Sequence, residues 1–191
     1  MKLFSNLFEK IKLLWYNVSN TKREEKIIMY SALDVARYVV NYANKNDMIV
    51  SNLKLQKILY FIQMQFLINN PNRPCFDDDI EAWAFGPVVP KVYREFKRYG
   101  SLSIPPIEYY YDTSNGIWNL EKKRYHTTLQ PEDRAVVDEV INMCDEYSAS
   151  DLVSITHKQT PWINARNKRN QTITVDSILN FIDKYIKNRD D

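Results

Sequence analysis

Hydrophobic residues fall into register at the start of the chain. Leu3, Phe4, Leu7, Phe8, Ile11, Leu14 and Trp15 share one helical face, and Lys2, Asn6, Glu9 and Lys10 take the other. That spacing predicts an amphipathic helix. A polar stretch from Asn17 to Lys26 follows and reads as a linker or a second, charged helix. From Met29 the pattern changes. Ser31 suits the N-cap of a helix carrying Leu33, Val35, Ala36, Val39 and Val40 to about Asn44. Ser51 or Asn52 opens a second helix with Leu55, Ile58, Leu59, Ile62, Phe66 and Leu67 as a core stripe, ended by Asn69-Asn70-Pro71. The chain thus divides into an N-terminal extension, residues 1–28, and a main domain, residues 29–191.

Further along, Ile80 to Phe85 alternates weakly as a short strand leading into a Gly86-Pro87 turn. Pro90 fits a first helical turn, and Val92, Tyr93, Phe96 and Tyr99 give a short helix that stops at Gly100. Ile107 to Tyr111 and Ile117 to Leu120 flank Asn115-Gly116, a tight-turn pair, so a β-hairpin is expected there. Pro131, Glu132 and Asp133 start a helix whose buried face is Val136, Val137, Val140, Ile141 and Cys144. Ser150 to Lys158 is helical. So is Trp162 to Asn167, with Thr160 as cap and Pro161 at its first position, and Val175 to Ile186 closes the chain. The expected fold is mainly α: a compact single-domain bundle of six or seven helices with a minor β-hairpin, preceded by the amphipathic helix.

Composition narrows the function classes. At 191 residues one core suffices for folding, without disulfides or metal. Three glycines disfavour Gly-rich phosphate-cradling folds. The net charge of +2, from 26 basic and 24 acidic residues, gives little long-range attraction for nucleic acid, whose binding normally needs a clustered basic face, and so argues against it as a partner. The extension holds much of the positive charge, with Lys2, Lys10, Lys12, Lys22, Arg23 and Lys26 against Glu9, Glu24 and Glu25. Cys75 and Cys144 form no CxxC and read as reduced, idle thiols. No apolar run approaches the roughly 18 residues of a membrane span, and Glu9, Lys10 and Lys12 interrupt any secretory signal. A cytoplasmic location is expected, with no membrane partner.

Catalytic chemistry finds little support. Cys75, His126, Cys144 and His157 stand at no zinc spacing. Asp77, Asp78, Asp79 and Glu81 could hold Mg²⁺ but read more simply as a solvated loop. Cys75 or Ser154 could be paired with His157, yet no nucleophile elbow or third orienting group accompanies them, and a structural hydrogen bond is the simpler role for His157. The first two domain helices mimic a helix-turn-helix, but Lys54, Gln56, Lys57 and Gln63 are the second helix's only DNA-suited groups. No enzyme, cofactor or metal is expected.

Three blocks are more specific. They are LKLQKILY at Leu53 to Tyr60, IEAWAFGPVVPKVYREFKRYG at Ile80 to Gly100, and YSASDLVSITHKQTPWINARN at Tyr147 to Asn167. Together, in this order, they resemble the Panacea domain, a SocA-like and phage-associated GepA-like family. The resemblance runs from about Met29 to the C-terminus. It implies a mostly helical antitoxin that neutralises a neighbouring gene's protein toxin by direct binding. It also leaves open an adaptor that delivers the toxin to a ClpXP-type protease, or a phage-associated nucleic-acid-binding regulator. It supplies no catalytic residues.

The matching residues have a physical reading of their own. Gly86 and Pro87, followed by Val88 and Pro90, rigidify a turn. Leu55, Gln56 and His157 read as structural members of the motifs. Trp83, Tyr93 and Trp162 can wall a concave surface bordered by Lys57 and Tyr60, one helical turn apart; alternatively the tryptophans are core anchors. Partner specificity then falls to the extension, where Phe4, Leu7, Phe8, Ile11 and Trp15 either engage the toxin, dock on their own domain, or lie on a membrane surface.

Overall fold

Ser31 and Ser51 cap helices, as their short hydroxyl side chains suggest. In the computed structural model, which describes residues 28–112 and 120–184 together with Lys10, Gly116 and Trp118, the Ser31 hydroxyl accepts from the Leu33 amide to open α1 (Ala32–Lys45). The Ser51 hydroxyl accepts from the Lys54 amide to open α2 (Asn52–Asn69). Then come β1 (Ile80–Trp83), β2 (Gly86–Val88) and α3 (Pro90–Phe96), which tightens into a 3₁₀ turn, Lys97–Tyr99, before Gly100 at φ 55°. The chain continues through β3 (Tyr109–Asp112), β4 (Glu121–Arg124), α4 (Pro131–Asp145), α5 (Ala149–Thr156), α6 (Thr160–Arg166), β5 (Thr172–Ile173) and α7 (Val175–Ile182). The architecture is mainly α, with seven helices and two small antiparallel sheets among the described residues.

Helix α2 is the axis of the domain. The expected stripe of Leu55, Ile58, Leu59, Ile62, Phe66 and Leu67 is buried, but so are most of its other residues: 16 of the 18. The cause is tertiary, because α1, α3, α4, α5, α7 and β2 all pack around it. Each Ile or Leu so enclosed contributes about 1.5–3 kcal/mol. The polar residues are enclosed with partners. Gln63 donates to the Phe76 carbonyl at 2.9 Å and accepts from the Cys75 amide at 2.9 Å, while Lys54 Nζ meets Asp145 at 3.1 Å. A helix buried all round tolerates such groups at low cost when they are partnered, and here Gln65 Oε1 is the exception, buried without a donor although its amide nitrogen bonds Asn69.

Three expectations need correction. The segment Gly86–Val88 is a strand, not only a turn: β2 lies at one edge of a three-stranded sheet ordered β2-β1-β5. The return strand of the second hairpin is Glu121–Arg124, and of the expected Ile117–Leu120 the two described residues, Trp118 and Leu120, lie outside it. Tyr110 faces Lys123 and Asp112 faces Glu121 in that register, and Lys123 ion-pairs with Asp112 at 2.7 Å. Trp118, from the apolar run expected to form the strand, is 92% exposed. Gly116 has φ 89°, as a tight turn requires, whereas Asn115 and Ile117 lie outside the described residues. Third, α6 is entered through Gln159 without a side-chain cap, so Thr160 is its first residue rather than its cap.

Asp78, in the middle of the acidic run, accepts from the Ala32 amide at 2.8 Å and pairs with Lys91 at 3.3 Å. It completes the cap of α1. At the start of α4, Asp133 is buried and accepts from both terminal nitrogens of Arg73, at 2.9 and 2.6 Å, and from the Tyr30 hydroxyl.

Candidate partner-binding groove

The three sequence blocks meet at the β1–β2 hairpin. Trp83 pairs with Gly86, leaving Ala84 and Phe85 as a two-residue tip. Gly86 sits at φ 98°, and a Cβ there would stand 2.7 Å from Lys57 Cε and 2.8 Å from Thr156 Oγ1. Glycine is required twice over, by its backbone angle and by this close approach. From below, α2 holds the hairpin through side-chain bonds to backbone. Lys57 Nζ donates to the Pro87 carbonyl at 2.8 Å, and Gln56 accepts from the Val89 amide at 3.0 Å. Gln56 in turn donates to Asn52 at 2.9 Å, and Asn52 donates to the Tyr93 carbonyl at 3.3 Å, tying in α3.

From the other side α6 grips β1. Trp162 Nε1 donates to the Trp83 carbonyl at 3.0 Å, and Arg166 donates to the Ala82 carbonyl at 3.2 Å. The His157 ring stacks on Trp162, with centroids 3.9 Å apart and planes 17° apart. Burial lowers the His157 pKa, and the nearby Lys57 amine lowers it further. Burial likewise brings the Lys57 amine down to about 7, and the Tyr60 hydroxyl, its pKa raised by complete burial, donates to Gln159 at 2.7 Å. The result is a short hairpin whose carbonyls are pinned from two sides.

The pinned hairpin forms one wall of a groove of about 560 Å³, lined by Leu53, Trp83, Phe85, Val88 and Tyr93, with Lys97 on its rim. Trp83 meets Tyr93 edge to face at 4.9 Å, and its indole nitrogen donates to Glu81 at 2.6 Å. Phe85, at the tip, is 69% exposed. Apolar rings with a few polar handles suit a protein surface, which they bury without demanding a reaction. Elsewhere, the Ser154 hydroxyl donates to the Ser150 carbonyl at 3.0 Å, and Cys75 is buried with its thiol pushed well above the ordinary range by burial.

The structure thus places Trp83 and Tyr93 along the groove. Lys57 and Tyr60 do not border it: both are fully buried in the motif support. Trp162 is half-buried and braces β1 without lining the groove; Gln56 and Val88 line it as well as supporting it, while Leu55, Gly86, Pro87, Pro90 and His157 belong to the support alone. Phe4, Leu7, Phe8, Ile11 and Trp15 lie outside the described residues; Lys10, from the same segment, ion-pairs with Glu146 at the end of α4. Phe85 and Leu53 were missed. They stand inside the motif blocks, but nothing in their spacing distinguishes an exposed ring from a buried one.

Comparison with known proteins agrees with this convergence of blocks. A family model described as "Antitoxin SocA-like, Panacea domain" matches residues 55–163. The protein named "Antitoxin SocA" from Caulobacter vibrioides (strain NA1000 / CB15N) is 32% identical over 159 residues, covering 81% of this chain and 79% of that protein. No solved structure gives a significant match.

Proposed function

This chain belongs to the SocA-like antitoxin family of Panacea domains, and on that premise we propose that it neutralises a protein toxin, encoded by a neighbouring gene, through direct binding. The observation that carries the reading is Phe85: a large ring exposed at the tip of a hairpin, beside the half-buried Trp83 and Tyr93. Exposed aromatics on a backbone held by buried hydrogen bonds lose little entropy on binding, and rings of this kind dominate interface energetics.

The test is co-expression with each genomic neighbour, scoring growth and co-purification. The expected outcome is one neighbour that is toxic alone, harmless with this protein and recovered in complex with it. Phe85→Ala should weaken that complex about tenfold or more while leaving thermal stability within roughly 0.5 kcal/mol, because the ring is mostly outside the core. A variant that protects and co-purifies like the parent would remove the groove from the interface. Protection that disappears in cells lacking a ClpXP-type protease would replace direct neutralisation with delivery for degradation.

The extension, residues 1–28, has a place in the same reading. Lys10 ion-pairs with Glu146 at the end of α4, and Phe4, Leu7, Phe8, Ile11 and Trp15 of the same segment would extend the toxin contact. Deleting residues 1–28 should leave a folded, cooperative domain that no longer protects cells. Full protection by the shortened chain refutes that role.

A further inference from the structure

Away from the motif groove, the β3–β4 ribbon has two unlike faces. The register sets Tyr109 opposite Arg124 and Tyr111 opposite Lys122, so these four side chains share one face. On the other face, Tyr110 lies under the Arg37 guanidinium at 3.9 Å, and Lys123 pairs with Asp112 at 2.7 Å and Glu121 at 3.4 Å. Both ribbon carboxylates therefore lie on the face opposite the outward one, where they share Lys123. The outward face carries two tyrosine rings, 48% and 61% exposed, with Lys122 Nζ 4.5 Å from the Tyr109 ring.

The cations continue beyond the ribbon. Arg124 also lines a concavity of about 410 Å³ with Lys45 and Tyr125, where Glu108 is the one carboxylate. Lys45 and Tyr125 are shared with a second concavity of the same size, lined by Arg134 and His126 as well. Among the described residues, no carboxylate forms an ion pair with Lys45, Lys122, Arg124 or Arg134. The Nε of Arg134 is buried without a hydrogen-bond acceptor. A protein of net charge +2 thus gathers four cations on one tyrosine-bearing surface, with Glu108 and the Asp138 carboxylate, whose charge acts on Arg134, beside them, and leaves an arginine donor there unsatisfied.

We propose that the outward face of the β3–β4 ribbon, with the concavities that continue it between α1 and α4, binds single-stranded nucleic acid. Tyr109 and Tyr111 stack on bases while Lys122, Arg124 and Arg134 take phosphates. Stacking rings interleaved with cations are the arrangement that grips a single strand without reading its sequence, since every base offers a π-face. An acidic protein would use the cations but has no comparable need of the rings.

The experiment uses the full-length protein and fluorescein-labelled 15-mers of dT and rU, followed by anisotropy across a salt series. Binding should weaken with salt along a log–log slope of about −1.4 to −2.8, as two to four phosphate contacts require. Tyr109→Ala with Tyr111→Ala should lower affinity about tenfold or more, and Lys122→Gln with Arg124→Gln should flatten the slope by about 1.4. All four residues project outward, so both double variants should melt with the parent. The double glutamine variant serves as a second reading if the tyrosine variant melts early. No binding at the lowest salt, or binding unchanged in both variants, overturns the proposal. So does a polyglutamate competitor that displaces the oligonucleotides from a tyrosine variant still binding at parental affinity, because that face would be reading charge alone and would belong to an acidic protein.

Discussion

Lys57 places an amine where water does not reach, with the Pro87 carbonyl as its hydrogen-bond acceptor. Burial lowers its pKa to about 7, whereas an exposed lysine in the unfolded chain titrates near 10.4. Between those values the unfolded chain holds a proton that the folded one lacks. Lys57 therefore makes stability rise with pH across that window, and burdens the fold most below pH 7. Lys57→Met removes the titration. The stability difference between variant and parent is expected to shift in the parent's favour by roughly 2–4 kcal/mol from pH 6 to pH 10. Urea unfolding at both pH values measures it, and comparing the two proteins cancels the buried thiols and tyrosines that titrate in both. A difference independent of pH would mean that the amine keeps its charge inside the fold.

At the scale of elements, the motif blocks act as clamps between α2, the β1–β2 hairpin and α3. Gln56→Leu strips the Val89 amide of its acceptor and Asn52 of its donor, at a cost of about 1–3 kcal/mol. Faster amide hydrogen exchange at Val89 than at the Gln63-held Cys75 would locate the loss at the hairpin. Helix starts were legible in the chain because capping is local: Ser31, Ser51 and Pro131 each announce one. Strand β2 was not, because Gly86 and Pro87 are poor strand residues; they are tolerated because β2 is the sheet's edge. Strand β5, with two residues, carries no period to detect. The hairpin was legible as a motif, but the exposure of Phe85 and the burial of Lys57 depend on which elements pack nearby. No local pattern encodes that.

At the scale of the whole molecule, Asp133 joins distant parts of the chain. Tyr30 at the entrance to α1, Arg73 after α2 and the first turn of α4 all meet at its carboxylate. Asp133→Asn leaves the largely buried Arg73 guanidinium facing a neutral amide. Unfolding should become easier by about 3–5 kcal/mol, the usual penalty for breaking a buried pair. Chemical denaturation should show a lower midpoint with an unchanged slope, since the whole domain unfolds together. A steeper or shallower slope would instead mean that the three segments come apart separately.

The chain's two cysteines, Cys75 and Cys144, are both fully buried, and burial pushes the Cys144 thiol up to about 12. Thiolate is the reactive form, so the native protein offers no accessible thiol to an alkylating reagent. The molecule arrives, in effect, already prepared for labelling. A cysteine introduced in place of Phe85 would be its sole reactive thiol, and a dye attached there would report occupancy of the groove. In the unaltered protein, the slow uptake of a maleimide would time each opening of the core.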